Sequence, residues 1–289
     1  NQNKFRQLKQ ELNTPNLERT ASGAPGKEYT QQKVDYTMDI ILDDEKTKIT
    51  GAETITYHHN SKDNLTYLWV QLDQNMRAKD SKTPDISPNS IPNKLSKSRF
   101  DKNYVEEAFD GGFNIMSVTN MDGSKLSYTI NQTMMRINLP NPLASGATFK
   151  FNIEWWYNIN DRLAIGGRSG YEHFEEEDNY LYTIAQFFPR LCAYYDRMGW
   201  QNKQFLGSGE FTLEFGDYDV SITVPSDHIV GSTGVLQNPK EVLTATQRAR
   251  FEEAKTADRP VLIVTEEEAR ERMKDLPPQG KWPCLFSAS

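Results

Sequence analysis

The chain is poor in the residues from which metal and nucleophile sites are usually built. Its 289 residues include four histidines and two cysteines. Cys192 and Cys284 allow one disulfide at most, and they exclude a cysteine framework or a four-cysteine zinc site. Two unpaired, partly buried thiols are the simpler expectation. His58, His59, His173 and His228 form no HExxH helix and no pair four residues apart. His58 and His59 fall on a strand, where neighbours point to opposite faces. They are poorly placed to share a metal, and both read as surface residues. No metal ligand and no catalytic residue is therefore assigned within this chain.

Basic charge is also scarce. Lys and Arg number 33 against 40 Asp and Glu, a formal net charge of −7. A nucleic-acid partner is not expected, because phosphates need a basic face. No apolar run approaches the roughly 20 residues that cross a bilayer, and no basic-then-apolar leader opens the chain. A GxSxG elbow, a phosphate-cradling loop and a GxGxxG fingerprint are all missing. Gly166, Gly167 and Gly170 surround Arg168 without dinucleotide spacing and read as a tight loop. The acidic run Glu172, Glu175, Glu176, Glu177 and Asp178, with His173, lacks the alternation and glycine of a calcium loop. It reads as a solvated turn.

What the chain does have is period-two alternation. Val34, Tyr36, Met38 and Ile40 alternate with polar residues, which is a strand with one buried face. Asp43 to Glu45 turn the chain, and Ile49 to Tyr57 return it. Leu65 to Leu72 is apolar on both faces and reads as a central strand. Strands resume at Phe113 to Val118. Asp122-Gly123 then marks a hairpin turn, followed by alternating sets at Leu126, Tyr128 and Ile130 and at Met135, Ile137 and Leu139. After a turn at Pro140 to Gly146, the clearest strand carries Phe149, Phe151, Ile153, Trp155 and Tyr157. Glu210 to Phe215 and Tyr218 to Val224 read as a further hairpin about Gly216-Asp217. This pattern predicts a mainly β, antiparallel fold with sheets packed face to face.

Other stretches break the rhythm. Residues 1–33 are an N-terminal extension, with one short amphipathic helix at Phe5, Leu8 and Leu12 and a Pro/Gly-rich linker. Gln74 to Tyr104 is a surface excursion, with a lid as the functional alternative. Residues 237–280 form a small helical insertion. Thr244 with Gln247 and Thr265 with Glu268 are capping boxes that open two helices, and Val261 to Val264 is a short strand between them. Beyond Gly280 no hydrophobic element closes the chain, so 281–289 reads as a truncated end of something longer.

The densest segment is Tyr180 to Trp200, YLYTIAQFFPRLCAYYDRMGW. Gln186 stands where a run of aromatic strand residues ends. Its amide donates and accepts together, which suits recognition of a peptide backbone. The structural alternative is a Gln that satisfies neighbouring main chain.

Read in order, YTMDIILDDEKTKITGAETITYHHNS, LTYLWVQLDQN, YTIAQFFPR with YYDRMGW, and GSGEFTLEFGDYDVSITVPSDHIVGSTG resemble the amino-terminal domain of zinc aminopeptidases. The branch is the Bacteroidetes-like one of the aminopeptidase N and leukotriene hydrolase family. The resemblance covers about Val34 to Leu236, and the helices ending in TEEEARERMKDLPP resemble an insertion before that domain's last strand. It implies a saddle-shaped antiparallel β-sandwich over residues 34–236. It also implies a non-catalytic role capping the cleft of a catalytic domain that lies outside this chain and holds the zinc. Gln186 matches the family Gln that lines the first subsite. Phe188 stands where many relatives carry an acidic or amide residue that helps hold the substrate amine, which implies an apolar subsite or altered specificity. Peptide substrate and the downstream catalytic domain are the implied partners, and the implied location is periplasmic or secreted, with the leader removed. A stand-alone β-sandwich module for peptide or glycan is the alternative, with Trp69, Trp155 or Trp156 as its platform. A structural or assembly module that self-associates through an edge strand is the third.

Overall fold

A computed structural model describes residues 15–86, 94–97, 100–101, 109–176, 178–207, 209, 212–275 and 281–288. The helix expected at Phe5, Leu8 and Leu12 lies outside these residues, as do 87–93, 98–99 and 102–104 of the Gln74 to Tyr104 excursion. The start of that excursion is not surface: Asp73–Arg77 is a short 3-10 helix with Gln74 and Asn75 buried. The fold is mainly β and sandwich-like, as the alternation predicts. A seven-stranded sheet has the order β14-β15-β13-β1-β2-β7-β4, and a four-stranded sheet has the order β10-β3-β6-β5. The large sheet is built from β1 (Lys33–Asp43), β2 (Lys48–His58), β4 (Asn114–Asn120), β7 (Thr148–Asn158), β13 (Tyr218–Pro225), β14 (Val235–Leu236) and β15 (Lys281–Ala288). The small one is built from β3 (Leu65–Gln71), β5 (Tyr128–Asn131), β6 (Met134–Leu143) and β10 (Arg190–Leu191).

The core follows from the period-two pattern. Val34, Tyr36, Met38, Ile40 and Leu42 on β1 face Ile49, Ile55 and Tyr57 on β2 and Phe151, Ile153, Trp155 and Tyr157 on β7. The small sheet contributes Leu68, Val70, Met135 and Ile137, all fully buried. Side chains on the opposite face of β1, such as Thr37 and Asp39, meet solvent. The β3 strand is interior to its sheet, yet only one of its faces is fully buried, since Thr66 is exposed and Tyr67 and Trp69 are half-buried. Arg136 lies over the Tyr67 ring at 4.2 Å, so a cation covers part of that outer face.

Three further expectations about the fold are overturned. Glu210 to Phe215 and Tyr218 to Val224 do not pair as a hairpin. The described residues before the turn are irregular, and β13 instead lies parallel to β1, with Tyr36 opposite Tyr218. Phe215 already sits on β1, its carbonyl accepting the Val34 N–H at 3.0 Å. Asp217 N–H donates to Asp35 Oδ1 at 2.9 Å. The close turn at Gly216 is needed because a Cβ there would run into the Val34 carbonyl. Second, the chain beyond Gly280 does not lack a hydrophobic closing element. Residues 281–288 form β15, antiparallel to β13 and β14, with Cys284 and Phe286 buried. Third, Val261 to Val264 is not a strand, and Leu262 is 74% exposed. The helices Ala245–Ala254 and Glu266–Asp275 lie between β14 and β15. Thr244 and Gln247 form the reciprocal capping box, and Thr265 and Glu268 form the second. Among the described residues, no helix is long and apolar enough to cross a membrane.

Cys192 and Cys284 are both buried and unpaired. Burial pushes the Cys192 thiol up to about 12, which keeps it protonated and unreactive near neutral pH.

One close contact tests the core directly. The Trp155 indole lies across Gly51 on the neighbouring strand, and a Cβ at Gly51 would overlap the ring. Gly51→Ala should therefore cost roughly 1–3 kcal/mol through overpacking. An unchanged urea midpoint would show that the ring can move aside freely.

Candidate functional site

The two sheets differ in width, and the candidate site lies where the narrower one stops. The two-residue strand β10 is the edge of the small sheet, and it meets the large sheet near β1, where Leu191 N–H donates to Tyr36 Oη at 2.9 Å. Beyond β1, the inner face of β13 is only partly buried at Tyr218, Val220 and Ile222. The result is a cleft of about 1150 Å³. Its floor is Met38, Ile40 and β13, and its walls are the segment from Asn179 to Arg190 and the loop from Asp227 to Thr233. Apolar and aromatic side chains dominate, with a few polar groups at the sides, the usual make-up of a ligand site.

Gln186 and Phe188 both line this cleft. Gln186 has φ of 52°, a left-handed conformation that strains a residue with a Cβ. The surrounding structure imposes it from several sides. Gln74, which is buried, donates its amide to the Gln186 carbonyl at 2.9 Å and to the Ala185 carbonyl at 3.4 Å. Ser169 Oγ donates to the Ala185 carbonyl and accepts the Ala185 N–H at 2.8 Å. At the end of the segment, the Arg190 guanidinium clamps Asp73 with two bonds of 2.9 and 2.7 Å, and Asp73 is 1% exposed. Gln71 Nε2 donates to the same carboxylate at 2.5 Å. Arg190 lines the cleft, but its charge is already committed to Asp73.

The structural alternative for Gln186 thus falls to another residue. It is Gln74 that satisfies the main chain, and the Gln186 side-chain amide makes no hydrogen bond among the described residues. Phe188 has a different environment. Its ring stands edge-on to Tyr36 at 5.3 Å and to Tyr218 at 6.3 Å, while those two tyrosines stack at 5.1 Å. Phe188 therefore packs on the core as well as lining the cleft.

Sequence reasoning missed the opposite wall. Asp227 Oδ1 pairs with His228 Nδ1 at 2.8 Å, and the imidazole lies 5.9 Å from the Tyr182 ring. A lone histidine after a strand gives no hint of this, because the partner ring comes from β9 (Asn179–Thr183). The β9 strand pairs with β8 (Gly170–Phe174), placing Tyr171, His173, Tyr180 and Tyr182 on one face of a hairpin. The acidic turn joins these strands, and His173 pairs with Asp178 at 3.0 Å. Gly166, Gly167 and Gly170 all have positive φ, as a tight loop requires.

Other candidates resolve into structure. His58 bonds Asp35 at 2.8 Å. His59 is not a surface residue. It is fully buried, with Nε2 2.6 Å from the Asp63 carbonyl and its ring beside Tyr57 and Tyr194. Among the described residues, no three His, Cys, Asp or Glu side chains converge to hold a metal. Nor do the tryptophans form an open platform. Trp155 is fully buried, Lys48 Nζ sits 4.0 Å over the Trp156 ring, and Trp69 is half-buried.

Beside the cleft-lining Leu213, Glu214 accepts the Tyr194 N–H at 2.9 Å. Burial pushes its carboxyl up to about 7.

No family model matches the chain, and no curated protein matches it. Solved structures similar to it include the M1 zinc metallopeptidase from Deinococcus radiodurans, at 12% identity and TM-score 0.39, covering 89% of this chain and 39% of that one. A mutant of that enzyme bound to a Tyr-Ser-Ala substrate gives 11% identity and TM-score 0.40 over the same shares. A two-domain M1 zinc metallopeptidase mutant bound to L-tryptophan gives 12% and 0.40, covering 91% of this chain and 41% of that one. The chain thus spans about two fifths of the length of these structures. At such identity and score, the likeness says nothing about activity.

The folded Glu214 carboxyl titrates above an unfolded glutamate, so the folded chain holds the extra proton between the two values. This share of stability is present below the unfolded value and is lost as pH rises through about 7. Glu214→Gln keeps an acceptor for the Tyr194 N–H. It should match the parent urea midpoint at about pH 5 and exceed it at about pH 8. An equal difference at both pH values would show that Glu214 does not titrate in this range.

Proposed function

We propose that this chain is the non-catalytic amino-terminal domain of a zinc aminopeptidase and forms one wall of its peptide-binding cleft. The observation that carries the reading is a convergence. Two separated segments that bear the sequence resemblance, YTIAQFFPR and VPSDHIVGSTG, face each other across a single cleft. In this reading, Gln186 offers its uncommitted amide to the backbone of the first substrate residue. Phe188, with Tyr36 and Tyr218 behind it, gives that subsite an apolar lining in place of an acidic or amide contact. In this reading the zinc and the general base belong to a downstream domain. The export expectation belongs to the same proposal.

Restoring the downstream region tests it. The longer protein should cleave aminoacyl and peptide substrates with bound zinc, whereas the 289-residue chain should not. In the longer protein, Gln186→Ala and Gln186→Gly should each lower kcat/KM roughly tenfold, the size of one lost hydrogen bond of about 1.4 kcal/mol. The glycine variant relieves the φ strain, so equal losses in both would assign the effect to the amide. Wild-type rates in both variants, or a longer protein that cleaves no such substrate, would overturn the proposal.

A further inference from the structure

Glu53 is the most anomalous residue in the core. It lies at the centre of β2 on the inner face, is 3% exposed, and neither carboxyl oxygen has a hydrogen-bond partner among the described residues. Its surroundings explain why. Met38 on β1 and Ile153 on β7 stand directly opposite it. Gly51 and Ile55 flank it on its own strand face. The diagonal neighbours are Tyr36 and Ile40 on one side and Phe151 and Trp155 on the other. Of these eight, only Tyr36 and Trp155 carry a side-chain group that can donate. Tyr36 Oη accepts the Leu191 N–H and makes no bond to Glu53.

The second anomaly is Trp155 itself. Its indole Nε1–H is a buried donor with no acceptor among the described residues. The ring leans from β7 across Gly51, on the strand that carries Glu53 and on the same face. An acceptor without a donor and a donor without an acceptor are thus diagonal neighbours on one sheet face. Diagonal positions stand about 7–8 Å apart, within reach of long and aromatic side chains, yet the carboxyl and the indole make no direct bond to each other. Water that joins two such groups restores nearly the full hydrogen-bond energy, and buried polar groups left unsatisfied are the usual hosts of internal water. The carboxyl is also driven toward its neutral form, because burial without a counter-charge pushes its pKa well above the ordinary carboxylate range.

We propose that the Glu53 carboxyl and the Trp155 indole together form a binding site for ordered internal water. The acid proton supplies a donor to the water, the indole N–H supplies another, and the carbonyl oxygen of the acid accepts. The site is one strand away from the cleft, since Met38 is both the cross-strand partner of Glu53 and part of the cleft floor. The two are therefore separated by a single side chain.

Nuclear magnetic resonance on the 289-residue chain, with the Trp155 indole assigned through Trp155→Phe, tests the water. The Trp155 N–H should show a cross-peak to long-lived water in the parent and in Glu53→Gln, and should lose it in Glu53→Leu. Infrared spectra at neutral pH test the proton: the parent should show a protonated-carboxyl band that Glu53→Gln lacks. A parent indole without a water cross-peak, a cross-peak that persists in Glu53→Leu, or a parent without the carboxyl band would each overturn the proposal. If Glu53→Leu fails to fold, the parent and Glu53→Gln measurements still decide it.

Discussion

A wide sheet facing a narrow one is the constraint from which the rest of this domain follows. The large sheet has seven strands and its partner four. Burial of apolar surface can therefore be complete only over part of the large sheet. Over β1, β2 and β7, the inner side chains are almost wholly excluded from water. Over β13 they are not, and the uncovered strand becomes a cleft floor. The edge of the covered region is set by Asp73 and Arg190, which tie the end of β3 to β10. Asp73 is nearly inaccessible, so its charge depends on that guanidinium and on the Gln71 amide. Removing one member of such a pair would leave a buried charge, typically a loss of about 3–5 kcal/mol. The boundary of the cleft is thus fixed by a strong polar interaction, while its floor is apolar and adaptable.

The same boundary explains the strained Gln186. A left-handed non-glycine residue persists only where its neighbours over-determine the backbone. Here a buried amide from Gln74, a hydroxyl from Ser169 and the Arg190 anchor all hold the segment around it. That arrangement leaves the Gln186 side chain unused at the cleft wall.

How much of this was readable in advance depends on whether the signal is local. The alternation in β1, β2 and β7 is a local property, and it gave the strands and their buried faces almost residue by residue. Both capping boxes are also local, and both formed. The failures were non-local. Gly216-Asp217 has the composition of a hairpin turn, but the chain beside it is captured by β1, so a parallel pair replaces an antiparallel one. Among the described side chains of β15, Cys284 and Phe286 are the strongly buried ones, too weak a pattern to announce a strand without its partner β13. His59 sits just past the end of β2 and reads as polar surface. Its burial depends on Tyr194, brought in from far along the chain. Gln186 could be singled out by type and place, but its φ and its uncommitted amide could not. Asp227 and His228 carried no signal until Tyr182 was placed beside them.

Two carboxyls, one buried and one half-buried, show how composition can mislead about the core. Glu53 and Glu214 fall within stretches whose neighbours are apolar, and a hydropathy reading would place both outside. The alternation places Glu53 inside instead, because β2 keeps strict phase from Ile49 to Tyr57 and position 53 falls on the inner face. Phase therefore overrides residue type: turning Glu53 outward would turn Ile49, Ile55 and Tyr57 outward with it. Even without any hydrogen-bond partner, one buried acid would cost a few kcal/mol, whereas exposing those three side chains would forfeit roughly 1.5–3 kcal/mol for each. The sheet accepts the smaller penalty. Gly51, two residues before Glu53, makes room for the Trp155 ring that leans over this part of the sheet face. A polar group thus persists in an apolar face because strand periodicity permits no other placement.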